Sequence, residues 1–220
     1  MKRKYSQALA FVMGLGLVAS AGVSAVAKEK AAAKAEAAKP ADAKRLTPTE
    51  DMFYIYKDRG SRLNHYIPSG WMGDYGDIKF NDKHMVNPHS GSTCVQIVYT
   101  NKANQGARWS GINRHNPPNN WGTRPGGYDL TGAKKLTFWA RGEKGGERIE
   151  EFKIGGITGE YADSDVAGIG PVVLTTEWQQ FTIDLEGKDL SSISGGFCWA
   201  TNLDVNPDGA TFYLDDIRYE

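Results

Sequence analysis

Lys135-Leu136-Thr137-Phe138-Trp139-Ala140-Arg141 alternates without a break: Leu136, Phe138 and Ala140 fall on one side, Thr137, Trp139 and Arg141 on the other. Successive side chains point to opposite faces of a strand, so this period of two predicts a strand with one buried face. Residues 178–185 repeat it, with Phe181, Ile183 and Leu185 alternating against Gln180, Thr182 and Asp184. Working outward, short β-branched or aromatic runs at 53–56, 93–100, 108–113, 147–154, 172–176, 196–201 and 210–219 bring the candidate strands to about nine. Turn signals separate them, among them Asp129-Leu130-Thr131-Gly132, Gly155-Gly156 and Asn206-Pro207-Asp208-Gly209. No stretch of this region keeps a 3.6-residue period and no helical crossovers intervene. The expected fold class is therefore all-β, an antiparallel two-sheet β-sandwich, with residues 46–220 forming one domain.

The N-terminal part reads differently. Lys2, Arg3 and Lys4 precede an uncharged run rich in Ala, Leu, Val and Gly that ends in Ala25-Val26-Ala27, the small-x-small pattern of a signal peptidase site. About 20 apolar residues can also span a bilayer, but Gly14, Gly16, Gly22 and the cleavage pattern favour a signal peptide over residues 1–27. Residues 28–45 hold eight Ala and no aromatic or β-branched residue, too little apolar surface to join a core. They form a spacer, disordered or partly helical, that Pro40 would interrupt. The expectation is an exported protein, periplasmic or extracellular, with no stable membrane span in its mature form.

The 220 residues carry 26 basic and 26 acidic side chains, but the balance is uneven along the chain. Residues 1–27 hold three basic residues, the spacer six basic and three acidic, and residues 46–220 hold 17 basic and 23 acidic. An acidic domain on a basic leash argues against nucleic acid and polyanionic glycans as partners, and for neutral sugars and cations. Two cysteines exclude a disulfide-dense scaffold. Cys94 and Cys198 each sit in an apolar strand; a disulfide between them forms if those strands are neighbours, and otherwise both are buried free thiols.

Particular motifs then add a resemblance. Tyr128-Asp129-Leu130-Thr131-Gly132 runs into the 135–141 strand, and Gly142 and Gly145-Gly146-Glu147 follow it. Leu174-Thr175-Thr176-Glu177-Trp178 leads into the next alternating strand, Gly196-Phe197-Cys198-Trp199 comes later, and Thr211-Phe212-Tyr213-Leu214-Asp215-Asp216-Ile217 closes the chain. Over roughly residues 90–220 this set resembles the carbohydrate-binding-module type of jelly roll, in the galactose-binding-like superfamily. The resemblance implies a non-catalytic domain that binds a glycan on one sheet, often with a structural calcium away from it; fold by itself establishes no ligand. By the same resemblance Asp216 is a calcium ligand with Asp58 as its companion, pairing of Asp216 with backbone amides or an Arg being the alternative.

Sugar rings present an apolar face and a rim of hydroxyls, so a binder needs exposed aromatic planes beside polar side chains. Trp109, in Arg108-Trp109-Ser110-Gly111-Ile112-Asn113, and Trp121, at the end of the polar, proline-stiffened run from Asn113 to Trp121, meet that description. Trp139 and Arg141 share the face opposite Leu136 and Phe138. The candidate ligand-binding set is thus Trp109, Asn113, Trp121, Trp139 and Arg141. Trp178, at a strand start, reads as packing.

Enzyme signatures are missing: there is no Gly-x-Ser-x-Gly, His-Glu-x-x-His or Cys-x-x-Cys. His65, His84, His89 and His115 lack metal-ligand spacing, and the adjacent Glu150 and Glu151 face opposite sides of a strand. A jelly-roll polysaccharide lyase or hydrolase, with Arg114, His115 and Tyr99 or Tyr161 supporting β-elimination, is one alternative. A structural or adhesive envelope protein is another. The expected function is non-catalytic glycan binding, with no organic cofactor.

Overall fold

A computed structural model of the chain describes residues 52–220. The chain divides into two units, residues 1–41 and 42–220, and the described residues all belong to the second. The signal peptide and spacer expected over residues 1–45 lie outside the described residues.

The described residues form strands β1 (Phe53–Tyr56), β2 (Ile67–Gly73), β3 (Ile78–His84), β4 (Cys94–Tyr99), β5 (Trp109–His115), β6 (Lys135–Gly142) and β7 (Arg148–Ile149). After these come β8 (Glu151–Gly155), β9 (Val166–Ile169), β10 (Val172–Val173), β11 (Gln179–Asp184), β12 (Gly195–Asn202) and β13 (Ala210–Tyr219). One sheet has six strands in the order β11-β6-β13-β4-β3, with β1 added along β13; the second has five, in the order β2-β5-β12-β8-β9, and β7 and β10 make a small ribbon. Every strand pairing is antiparallel. The expected all-β two-sheet sandwich is the fold observed.

The alternating stretches supply its core. Leu136, Phe138 and Ala140 of β6 and Phe212 and Leu214 of β13 face Ile112 of β5, Phe197 and Trp199 of β12 and Phe152 and Ile154 of β8. Phe138 lies 4.7 Å from Phe152 and 5.1 Å from Phe197, ring centre to ring centre, and Trp199 lies 5.0 Å from Phe212. Each such pair contributes about 0.5–1.5 kcal/mol beyond the area it buries. A charge is enclosed here too: the Arg114 guanidinium stands 5.5 Å from the Tyr56 ring and 5.7 Å from Phe80, and burial lowers its pKa to about 10.

Three strands were not anticipated, β2, β3 and β9, and all three are edge strands. An edge pairs on one side only and tolerates residues that a central strand rejects. Accordingly β2 contains Pro68 and Gly70, with a register shift between them, and β3 reads Ile-Lys-Phe-Asn-Asp-Lys-His. The single strand expected over 147–154 divides into β7 and β8, which pair with different partners, β10 and β12.

The cysteines are corrected as a bridge. Cys94 lies on β4 of the six-stranded sheet, on the side opposite Val95 and Ile97 of the core. Cys198 lies on β12 of the other sheet, opposite Phe197 and Trp199. Both thiols point away from the sandwich interior, which stands between them, and both are free and buried. Burial pushes each thiol up to about 12, far from the range of a reactive thiolate. Thiol titration of the native protein is therefore expected to find neither group, titration in denaturant to find both, and gel mobility to be the same with and without reductant. Absence of free thiol in denaturant would contradict this arrangement.

Candidate functional site

The outer face of the five-stranded sheet is organised along β5. Ile112 and Arg114 point into the sandwich, so Trp109, Gly111, Asn113 and His115 point out. Trp109 begins the strand and is 40% exposed; six residues further on, about 20 Å at strand rise, His115 is covered edge-on by Trp121, which is 43% exposed, the two ring centres 4.5 Å apart. Between the two indoles the outward neighbours are small apart from Met72, whose Cε lies over Gly111. Gly70 of β2 and Cys198 of β12 pair with Asn113, and Met72 and Ala200 pair with Gly111. A Cβ on Gly111 would stand 2.5 Å from the Trp199 carbonyl oxygen, and one on Gly70 would stand 2.5 Å from the His115 ring. The glycines thus keep the floor low and let the imidazole lie across β2.

Both ends of the strip are pinned. Asp74, fully buried, accepts backbone N–H bonds from Gln105, Ala107 and Arg108 at 2.9, 2.9 and 2.6 Å, and its own N–H donates to the Trp109 carbonyl at 2.8 Å. These bonds hold Arg108 in the left-handed region, φ 62°, immediately before Trp109. At the other end the Trp121 loop is tied to β2 by Asn119 N–H to Ser69 Oγ, and to the 158–161 turn by Tyr161 N–H to the Gly122 carbonyl.

The polar groups divide into floor and rim. Asn113 is 4% exposed with a buried, unpartnered Oδ1, and both ring nitrogens of His115 are buried without a partner. Asn113 therefore lies beneath the strip rather than on its surface. Lys153 and Glu151 of β8, paired at 2.9 Å, stand at its rim, with Asn202 across from Trp109. Sequence reading overlooked the contributions of Gly70, Met72 and Lys153, since only strand pairing brings β2 beside β5 and sets β8 one strand further on, beyond β12. The one local signal was Ser69-Gly70-Trp71, small residues next to an aromatic.

Trp139 and Arg141 do not join this strip. They lie on the outer face of the six-stranded sheet, on the far side of the core. The segment 85–93 between β3 and β4 passes over them, its His89 imidazole stacked on the Trp139 indole at 3.8 Å and 16°. Arg141 is 8% exposed, its guanidinium 3.8 Å from the Tyr213 ring and 5.3 Å from Trp178. The five sequence candidates thus fall on two opposite faces. Trp178 has the packing role expected of it, its indole N–H donating to the Asn87 carbonyl at 3.0 Å.

The carboxylates singled out for calcium have protein partners. Asp58 Oδ1 accepts the backbone N–H and hydroxyl of both Ser92 and Thr93 at 2.8–3.1 Å, which lowers its pKa despite partial burial. Asp216 Oδ2 meets His89 Nδ1 at 3.0 Å. A register shift between Asp215 and Arg218, with Asp216 at φ 45°, turns both neighbouring carboxylates toward the 85–93 segment instead of placing one inside the core. Among the described residues no group of three or more His, Cys, Asp or Glu side chains is placed to hold a metal ion. Of the residues considered for β-elimination, Arg114 points into the core, His115 points out on the other side of β5, Tyr99 is buried, and Tyr161 lies in the turn tied to the Trp121 loop.

No protein-family model matches the chain, and no curated protein matches it. Solved structures do. The family 30 carbohydrate-binding module of a Clostridium thermocellum cellulosomal cellulase is 18% identical over 77% of this chain and 96% of its own, TM-score 0.49. A variant of a family 29 carbohydrate-binding module is 11% identical over 76% and 89%, TM-score 0.43. The family 11 module from Clostridium thermocellum in complex with a mixed-linked tetrasaccharide is 13% identical over 64% and 80%, TM-score 0.40. At such identities the likeness is one of chain path, and the surface that meets a ligand has to be read from this chain's own residues.

Burial without a partner lowers the His115 pKa from 6.5 to about 4. Between those values the unfolded chain binds a proton that the native state refuses, so the stability gained by keeping His115 neutral is complete above pH 6.5 and is lost as the pH falls toward 4. The melting temperature is expected to drop over that window, and His115→Gln to make the drop shallower. An unchanged slope in the variant would show that His115 titrates normally.

Proposed function

We propose that this chain is a non-catalytic carbohydrate-binding protein whose ligand lies along the outer face of the five-stranded sheet, from Trp109 to Trp121. The observation that carries this reading is the pair of exposed indoles at the two ends of one strand's outward face, with Gly70, Gly111, Ala200 and the Met72 side chain between them. Two aromatic planes joined by a low floor suit an extended chain of rings, and Lys153, Glu151 and Asn202 supply donors and acceptors for its hydroxyl rim. The excess of acidic over basic residues after residue 45 favours a neutral glycan over a polyanionic one. Export to the periplasm or the cell exterior, read from residues 1–27, would put the domain where such polymers are met. Arg114 points into the core, Tyr99 is buried and His115 lies covered under Trp121, which supports binding rather than turnover on this face.

Trp109→Ala and Trp121→Ala remove exposed rings, so each is expected to weaken retardation in polysaccharide affinity gels at least tenfold. The melting temperature should stay within a few degrees, since neither ring belongs to the core. Retention that survives the double substitution would move the site elsewhere. Prolonged incubation with the retained polysaccharide is expected to release neither new reducing ends nor unsaturated products; release of either would replace a binding module with a lyase or hydrolase.

A further inference from the structure

Trp139 and Arg141 have no part in the strip just described, yet their surroundings are those of a ligand site that is already filled. On the outer face of the six-stranded sheet the Trp139 indole is covered by the His89 ring, nearly parallel at 3.8 Å. The rim of that imidazole bonds Asp216 through Nδ1 at 3.0 Å. Beside it, Asp215 Oδ2 takes the backbone N–H groups of His89 and Ser90 at 2.9 and 3.2 Å. Arg141 keeps its Nε buried and unpartnered, and Trp178 closes the edge, its ring centre 6.1 Å from that of His89. An aromatic plane, two carboxylates and a guanidinium around a flat ring are the elements that hold a sugar against a protein.

We propose that this face is a second carbohydrate platform held shut by the 85–93 strap, with the His89 imidazole standing on Trp139 in the place of a sugar ring. The ligand class rests on the glycan-binding reading; the site rests on separate residues. The strap is built to leave. None of residues 85–92 belongs to the hydrophobic core, and its apolar side chains Met85 and Val86 point to solvent, 73% and 68% exposed. It is held by hydrogen bonds that water can replace, the Trp178 indole to the Asn87 carbonyl among them, and by the contacts of the His89 ring with Trp139 and Trp178. Closing it also buries Asp215 completely, and that burial pushes the carboxyl up to about 7, so opening returns the carboxylate to water. Asp58 anchors the strap at its far end through Ser92 and Thr93, which gives a lifted strap a fixed hinge.

The experiment uses the full chain carrying Trp109→Ala and Trp121→Ala, which silences the strip, and titrates it with cellohexaose, xylohexaose and mannohexaose. Adding His89→Ala is expected to raise affinity for at least one of these probes tenfold or more, and adding Trp139→Ala to abolish the gain. His89→Phe keeps a ring on Trp139 and is expected to gain nothing. Amide exchange at Ser90 and Gly91 should accelerate in His89→Ala while β6 and β13 stay protected. Should the strap stay protected, replacement of residues 85–91 by two glycines opens the face outright, and the same Trp139-dependent gain is expected. An opened strap with no gain for any probe, or a gain that survives Trp139→Ala, overturns the proposal. Binding by the unmodified protein that the two indole substitutions abolish, with no gain on opening, leaves the first site standing and sinks the second; the converse pattern sinks the first alone.

Discussion

The packing of Phe138 against Phe152 and Phe197 holds the two sheets face to face, and the rest of the molecule follows from it. Because β6, β8 and β12 spend alternate residues on that contact, the intervening residues must all face outward. Each sheet therefore owns one outer surface, separated from the other by the full thickness of the core, about 10 Å between sheet planes. Residues close in sequence or alike in character, such as Trp109 and Trp139, are thereby assigned to different surfaces with no prospect of acting on one ligand. The same separation keeps Cys94 from Cys198.

The excess of acidic residues has a structural use that charge counting alone does not suggest. Asp58 gathers Ser92 and Thr93, Asp74 gathers Gln105, Ala107 and Arg108, Asp163 gathers Ile157, Ser194 and Gly195, and Asp215 gathers His89, Ser90 and Asp216. In each case a carboxyl group accepts backbone N–H groups that would otherwise lie unpaired in or beside a connection. The environments differ: these bonds lower the pKa of Asp58 and Asp74, whereas burial prevails at Asp163 and Asp215 and raises theirs. Asp215 is the costly member, and it lies beneath a connection that adds nothing to the core.

Central strands were legible, and so was the edge strand β11 through its strict alternation; the edges β2, β3 and β9 were not. β6 and β13 have partners on both sides and a buried face, so their apolar residues recur every second position. β2 and β9 have one partner and carry Gly or Pro, so nothing local distinguishes them from turns. Trp109 and Trp121 could be picked out as exposed rings because polar residues surround them. That Trp139 would be covered could not be read, because His89, which covers it, is 50 residues distant and reaches it across β4 and β13. Asn113, expected as a polar partner of the ligand, does face outward, yet it is buried between Gly70 of β2 and Gly195 of β12, a consequence of tertiary packing rather than of strand period.

Alternation and turn chemistry, both properties of neighbouring residues, determined from the sequence that the domain is an antiparallel sandwich and which side chains of β6 and β11 enter its core, and polar neighbours singled out Trp109, Trp121 and Trp139 as rings outside it. The tertiary structure decided which of those surplus rings share a surface, that two cysteines lie back to back, and that Asp58 and Asp216 bind chain rather than stand free. These depend on which strands become neighbours and where long connections come to rest. Both are set by contacts between residues far apart in the chain, whose closure no local pattern records.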